Sequence, residues 1–164
     1  VNEAVKKYPI HYKNFEQLVS KTKFNEKWTY IDLFYFRETN QKLLDLIITK
    51  DIEFIVNQLK FTNQIIKKIN PKIIVVANSK ATNFFGVNKF IDKKKNLTNI
   101  WYGFDFEIDE KTGLMKVIGM NENSILKNSD YKYYKDILFL FTSTFKYMNK
   151  FEKERLSWLI DKIQ

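Results

Sequence analysis

Six polar residues stand within or just beyond apolar stretches of this chain: Asp32, Arg37, Asn40, Asn78, Ser79 and Ser143. Asn78 and Ser79 follow directly on the unbroken apolar run Ile73–Ala77. Ser143 lies just beyond a second run, Ile137–Phe141. Side chains placed at the exits of buried strands are where open α/β sheets bind ligands. Asp32 is a carboxylate inside the aromatic stretch Tyr30-Ile31-Asp32-Leu33-Phe34. Burying a charge is costly unless it is paired or solvated. Asp32 is therefore expected near a strand exit or in an ion pair, with Arg37 as the near partner. An ion pair that fixes the following loop and a role in a site both remain open. Arg37-Glu38-Thr39-Asn40 forms that loop.

Asp105, Glu107 and Asp109 recur at every second residue, so on a strand they share one face. Three such carboxylates could hold Mg²⁺ or Ca²⁺. Alternation alone also predicts them, as the solvated face of a half-exposed hairpin, and that arrangement is expected. The single histidine, His11, sits in an unpatterned segment. A Ser-His-Asp arrangement needs a histidine base, and a plain surface or core role is the reading for His11. No Walker sequence, Rossmann glycine fingerprint or His-rich metal motif is present. Lys93-Lys94-Lys95 reads as a solvated basic loop, with a phosphate contact as the sharper alternative.

The elements that position these residues follow from pattern. Asp51 caps a helix whose stripe is Ile52, Ile55, Leu59, Thr62, Ile66 and Ile69, and Asn70-Pro71 stops it. Ile73–Ala77 is an unbroken apolar run, as a strand covered on both faces requires. Ala81–Phe85 is helical, with Gly86 as its stop. Trp28–Phe36 is aromatic and reads as a strand. Asn14 is expected to cap a short helix, with Gln17 at the capping-box position, and Thr39 or Asn40 to cap another carrying Leu43, Leu44, Ile47 and Ile48. Trp101–Ile108 and Leu114–Gly119 form a hairpin around the turn at Asp109–Gly113. Asn149 and Glu152 make a capping box for a last helix, with Phe151, Leu156, Leu159, Ile160 and Ile163 on its apolar face.

Composition sets bounds. The chain has 164 residues, enough for one domain with a well-buried core. The absence of Cys removes disulfides, thiol nucleophiles and Cys-held zinc or iron–sulfur centres. It fits a reducing compartment, so a cytoplasmic location is expected. No stretch has the apolar length of a membrane span. The net charge of +9 favours an anionic partner, most often nucleic acid. Nearly all of that charge is Lys, however, and a biased composition that serves solubility is the plainer explanation. Val rather than Met stands first, which leaves an N-terminal truncation as an open expectation.

Across residues 28–164 the order of motifs resembles the uracil-DNA glycosylase superfamily, in particular its lesser-known bacterial branches. The residues that carry the likeness are Tyr30-Ile31-Asp32-Leu33-Phe34, then Arg37-Glu38-Thr39-Asn40-Gln41, then Gln58-Leu59 on the long helix. Pro71 to Ala81 follows. Phe141-Thr142-Ser143-Thr144-Phe145 and Arg155-Leu156-Ser157-Trp158 close the series. The resemblance implies a base-recognition role for Asp32 and a late-loop role for Ser143. The chain departs from the family pattern in four ways, one being that it lacks the cluster cysteines of the small iron–sulfur members. The glycine- and proline-containing loop that carries the water-activating residue has no counterpart. Ala77-Asn78 replaces the leucine–glycine after the central strand. Thr142-Ser143-Thr144 stands where a His-Pro-Ser loop is expected. What the resemblance implies is thus DNA or nucleobase binding with weak or no N-glycosyl hydrolase activity. A non-enzymatic α/β domain with a protein partner is the alternative.

The resulting expectation is a single α/β domain over 1–164. It would be a three-layer sandwich around a mostly parallel sheet, with a β-hairpin, no cofactor and no resident metal. Lys72–Ala77 and Ile137–Phe141 should be neighbouring parallel central strands. Asp32, Asn78 and Ser143 should meet at one cleft, with Arg37, Asn40 and Ser79 as further binding residues.

Overall fold

A computed structural model describes residues 9–25, 27–36, 41–87, 101–142 and 148–163. The elements in chain order are α1 (Pro9–Val19), α2 (Gln41–Lys50), α3 (Ile52–Ile69), β1 (Ile73–Val76), α4 (Ser79–Phe85), β2 (Phe104–Ile108), β3 (Met115–Met120), α5 (Asn128–Tyr134), β4 (Leu138–Phe141) and α6 (Lys150–Asp161).

Local chemistry sets several of these boundaries. The Asp51 carboxylate accepts the Phe54 backbone N–H at 3.0 Å, which satisfies one orphan donor at the start of α3. Asn70 closes the helix in the left-handed region at φ 52°, and its N–H reaches Ile66 O. Pro71 then prevents continuation. Ile55, Leu59, Thr62, Asn63 and Ile66 are buried, and the stripe frays to exposure at Ile52 and Ile69. Gly86 ends α4 at φ +106°, and a Cβ there would sit 2.5 Å from Phe104 O. Only glycine meets both demands. Asn149 and Glu152 form the expected capping box of α6.

Among the described residues the sheet has four strands in the order β1-β4-β3-β2. β1 and β4 are parallel neighbours, with Ile73 opposite Leu138 and Val76 opposite Phe141. Alternate residues of this pair feed two cores. Ile74, Val76, Phe139 and Phe141 face a cluster built with α3, α4 and α5. Ile73, Val75, Leu138 and Leu140 face a second cluster with Leu18 of α1 and with Leu156, Leu159 and Ile160 of α6. Both strands therefore read as continuous apolar runs because both faces are covered.

The sheet is mixed, not mostly parallel. The hairpin β2–β3 supplies two of its strands and docks antiparallel on β4 through Met115–Phe139 and Lys116–Leu138. It is integral to the sheet. β1 lies at one end of the strand order and not at the centre. The segment 28–36 forms no strand. Its backbone finds partners on α3 instead. Tyr35 N donates to Gln58 Oε1 at 2.9 Å, and Thr62 Oγ1 donates to Leu33 O at 2.7 Å. Backbone groups satisfied by side chains have no need of a ladder.

Three smaller expectations also change. Asn14 lies inside α1 rather than at its start, and Lys153 Nζ donates to its side-chain oxygen at 2.7 Å. Pro9, with φ already set near the helical value, stands earlier in the same helix. β2 begins at Phe104 rather than Trp101, because Tyr102 N is taken by Phe84 O at 2.9 Å. Phe151 is 79% exposed, on the solvent side of α6.

Candidate functional site

β1 and β4 are parallel, so their C-terminal ends share one edge of the sheet; there Thr142 N donates to Val76 O at 3.0 Å. Beside the exit of β1 lies an open cleft of about 180 Å³. Three pieces of chain form it: the segment 32–36, α2, and the first turns of α4. Phe34, Phe36, Leu44, Ile48, Ala81 and Phe84 supply its apolar wall, and Asp32, Asn78 and Lys80 its polar residues. Phe34 is fixed by its rings' neighbours: Phe36 is stacked at 5.7 Å and Phe84 edge-on at 5.0 Å. An apolar, aromatic wall with a few polar groups matches the lining of small-molecule sites, and the cleft is smaller than the roughly 300–1,000 Å³ usual for them.

Asp32 is exposed at this rim. Its Oδ1 accepts the Tyr30 hydroxyl at 3.1 Å. Desolvation of the Tyr30 hydroxyl, and then the adjacent Asp32 carboxylate, push the tyrosine pKa well above its ordinary value. A phenol is protonated at physiological pH even without this shift, and here it donates to Asp32. Asn78 is the N-cap of α4. Its Oδ1 accepts the backbone N–H of Lys80 at 2.9 Å and of Ala81 at 3.4 Å. Lys80 Nζ reaches back to α2, 2.9 Å from each oxygen of Asp45. Both partners are about half exposed, and such a pair contributes little stability. It does place a cation and its counter-ion beside the cleft.

The structure thus brings Asp32 and Asn78 to one cleft. Ser79 is exposed in the first turn of α4 and is not among the lining residues; its carbonyl accepts Thr82 Oγ1 at 2.6 Å. Arg37, Asn40 and Ser143 lie outside the described residues, as do Lys93–Lys95 and the side chain of His11. The pairing of Asp32 that the structure does record is with Tyr30.

The alternating carboxylates have separate local partners. Glu107 pairs with Lys116 at 3.0 Å across the hairpin. Asp109 accepts Thr112 N and Thr112 Oγ1, closing the turn, and these bonds lower its pKa. Asp105 lies over Gly119, where an added Cβ would come within 2.8 Å of Asp105 Oδ2. Among the described residues no group of three His, Cys, Asp or Glu is arranged to hold a metal ion. No helix there is long and apolar enough to cross a membrane.

Sequence reasoning missed Lys80, Phe36 and Phe84 as cleft residues. Their signal was available only in part: Phe34 and Phe36 share a face of an aromatic run, but Phe84 meets them through tertiary packing. No protein-family model, curated protein or solved structure matches this chain.

Proposed function

We propose that the cleft binds a nucleobase, presented by DNA or by a nucleotide. In this reading the chain is a divergent uracil-DNA glycosylase-like protein with weak or no excision activity. The observation that carries it is the meeting of Asp32 and Asn78 on the rim of a cleft walled by Phe34, Phe36 and Phe84, beside the exit of β1. A planar base has an apolar face for the rings and a polar edge for the rim. Base–aromatic stacking contributes about 1–3 kcal/mol per base. The +9 charge supplies a sequence-indifferent attraction to phosphates. The helices on both faces of the β1–β4 pair form the outer layers of a three-layer sandwich in this reading.

Low activity follows from the sequence, in which the water-activating loop has no counterpart and the late loop lacks its histidine. Excision needs a donor for the departing base and a group that delivers water. Leaving-group stabilisation is worth about 2.7–4 kcal/mol per donor. The late loop carries no histidine, and Lys80 is engaged by Asp45. An assay on single- and double-stranded oligonucleotides with one uracil tests this. Binding that weakens steeply with salt, with little or no excision, is the expected result. Efficient excision abolished by Asp32→Ala or Ser143→Ala would overturn it.

A non-enzymatic domain with a protein partner draws on exposed apolar side chains, among which one pair of rings is in contact. Tyr35 and Phe61 are 43% and 48% exposed, with ring centroids 5.1 Å apart. One ring pair is small beside the few hundred Å² of a typical interaction patch, so the cleft reading is the stronger.

A further inference from the structure

The polar rim of the cleft has a fixed pattern of donors and acceptors. Two backbone N–H groups, of Lys80 and Ala81, converge on one side-chain oxygen of Asn78. That assigns the amide, because the nitrogen end could not accept them. The group Asn78 has left for a ligand is its NH₂, a donor. Asp32 offers the opposite chemistry. A carboxylate only accepts. Its Oδ1 is steadied by the Tyr30 hydroxyl, and its Oδ2 has no hydrogen bond among the described residues. With the Lys80 ammonium held by both oxygens of Asp45, the rim presents a pair of acceptor oxygens and a separate amide donor along one cleft.

We propose that the cleft selects a planar heterocycle with two adjacent N–H donors next to one acceptor, which is the edge of guanine, and discriminates against uracil. This rests on the cleft being a base-binding site. Guanine presents O6, N1–H and N2–H₂ in sequence. The two donors suit the Asp32 carboxylate, and O6 suits the Asn78 amide. Uracil presents a single N–H between two carbonyl oxygens. Against a carboxylate it gains one bond and brings an acceptor against an acceptor. Cytosine and adenine each offer one amino group beside a ring acceptor, and hypoxanthine lacks the second donor of guanine.

The test is a titration of the full chain with the 2′-deoxynucleoside 5′-monophosphates of guanine, hypoxanthine, adenine, cytosine and uracil, followed by NMR amide shifts. Sugar and phosphate are then constant across the series. Guanine should bind tightest and hypoxanthine about tenfold more weakly, the loss of one charged hydrogen bond, with uracil no better than hypoxanthine. Asp32→Asn, at an exposed position, replaces one acceptor by a donor. It should weaken guanine about tenfold and narrow or reverse the gap to uracil, with an unchanged circular dichroism spectrum. A flat ranking, a preference for uracil, or a guanine preference untouched by Asp32→Asn overturns the specificity while leaving the cleft as a base site. No shift of cleft residues with any of the five at millimolar concentration overturns both.

Discussion

The Tyr30 hydroxyl donates to Asp32 Oδ1 at 3.1 Å, so the carboxylate at the cleft rim is held by a phenol two residues earlier in the chain. Side chains at i and i+2 of an extended segment lie on the same side, and here that places a donor beside an acceptor. The bond orients the Asp32 side chain.

Tyr30→Phe is therefore expected to leave the fold nearly unchanged and to loosen the site. The bond lies at an exposed position, so its loss should cost about 1 kcal/mol or less in urea denaturation. Ligand affinity should fall severalfold, because the carboxylate must then be ordered on binding. A variant that loses several kcal/mol of stability with affinity unchanged would show that the bond serves the fold and not the site.

Gly86→Ala is expected to be severely destabilising. The residue adopts φ +106°, and its Cβ would meet Phe104 O at 2.5 Å and Phe104 N at 2.8 Å. Backbone strain of this kind costs about 1–3 kcal/mol before any clash is counted. Denaturant titration should show a loss of at least about 2 kcal/mol. A loss below about 0.5 kcal/mol would contradict the close approach of α4 to β2.

Asp130 gives the chain an acid-sensitive contact. Burial acts to raise its pKa, but hydrogen bonds from Lys67 Nζ, the Lys127 backbone N–H and Asn63 outweigh it, and the pKa is lowered. A carboxyl with a lowered pKa in the folded state binds fewer protons there than in the unfolded chain. Its stabilisation is thus present above the ordinary carboxyl pKa and is lost as pH falls through the lowered folded value. Asp130→Asn should flatten the decline in stability below about pH 4. The part due to Asp109, also lowered by its bonds to Thr112, should persist. Urea midpoints measured between pH 7 and pH 2 check this. An acid limb identical to that of the unsubstituted chain contradicts it.

Much of the fold was legible because its signals are local. Asp51, Asn70-Pro71, Gly86 and Asn149 with Glu152 each act within one turn of the boundary they set. The parallel pairing of β1 with β4 was legible from two continuous apolar runs, and the hairpin from its turn. The segment 28–36 was misread because aromatic residues suit an extended chain packed on a helix as well as a strand. What decides between them is Gln58 and Thr62, far along the sequence. α5 went unread for a similar reason. Asn128–Tyr134 has no apolar stripe, and its anchors are long-range: Tyr134 to Asn63, Tyr131 to Ile118 O, and Asp130 to Lys67. At the cleft, Asp32 and Asn78 were legible from position. The aromatic wall and Lys80 depend on how α4 packs against the segment 32–36, which no local pattern encodes.

The most direct test of the proposal that the cleft binds a base is an NMR map of where a short single-stranded oligonucleotide perturbs the chain, at raised salt to suppress phosphate contacts. The largest shifts are expected at Asp32, Leu33, Phe34, Asn78, Lys80 and Ala81, and Phe34→Ala should weaken binding about tenfold, in line with the loss of one stacked base. Shifts centred on Tyr35 and Phe61, or spread evenly over lysines and vanishing with salt, would contradict the account.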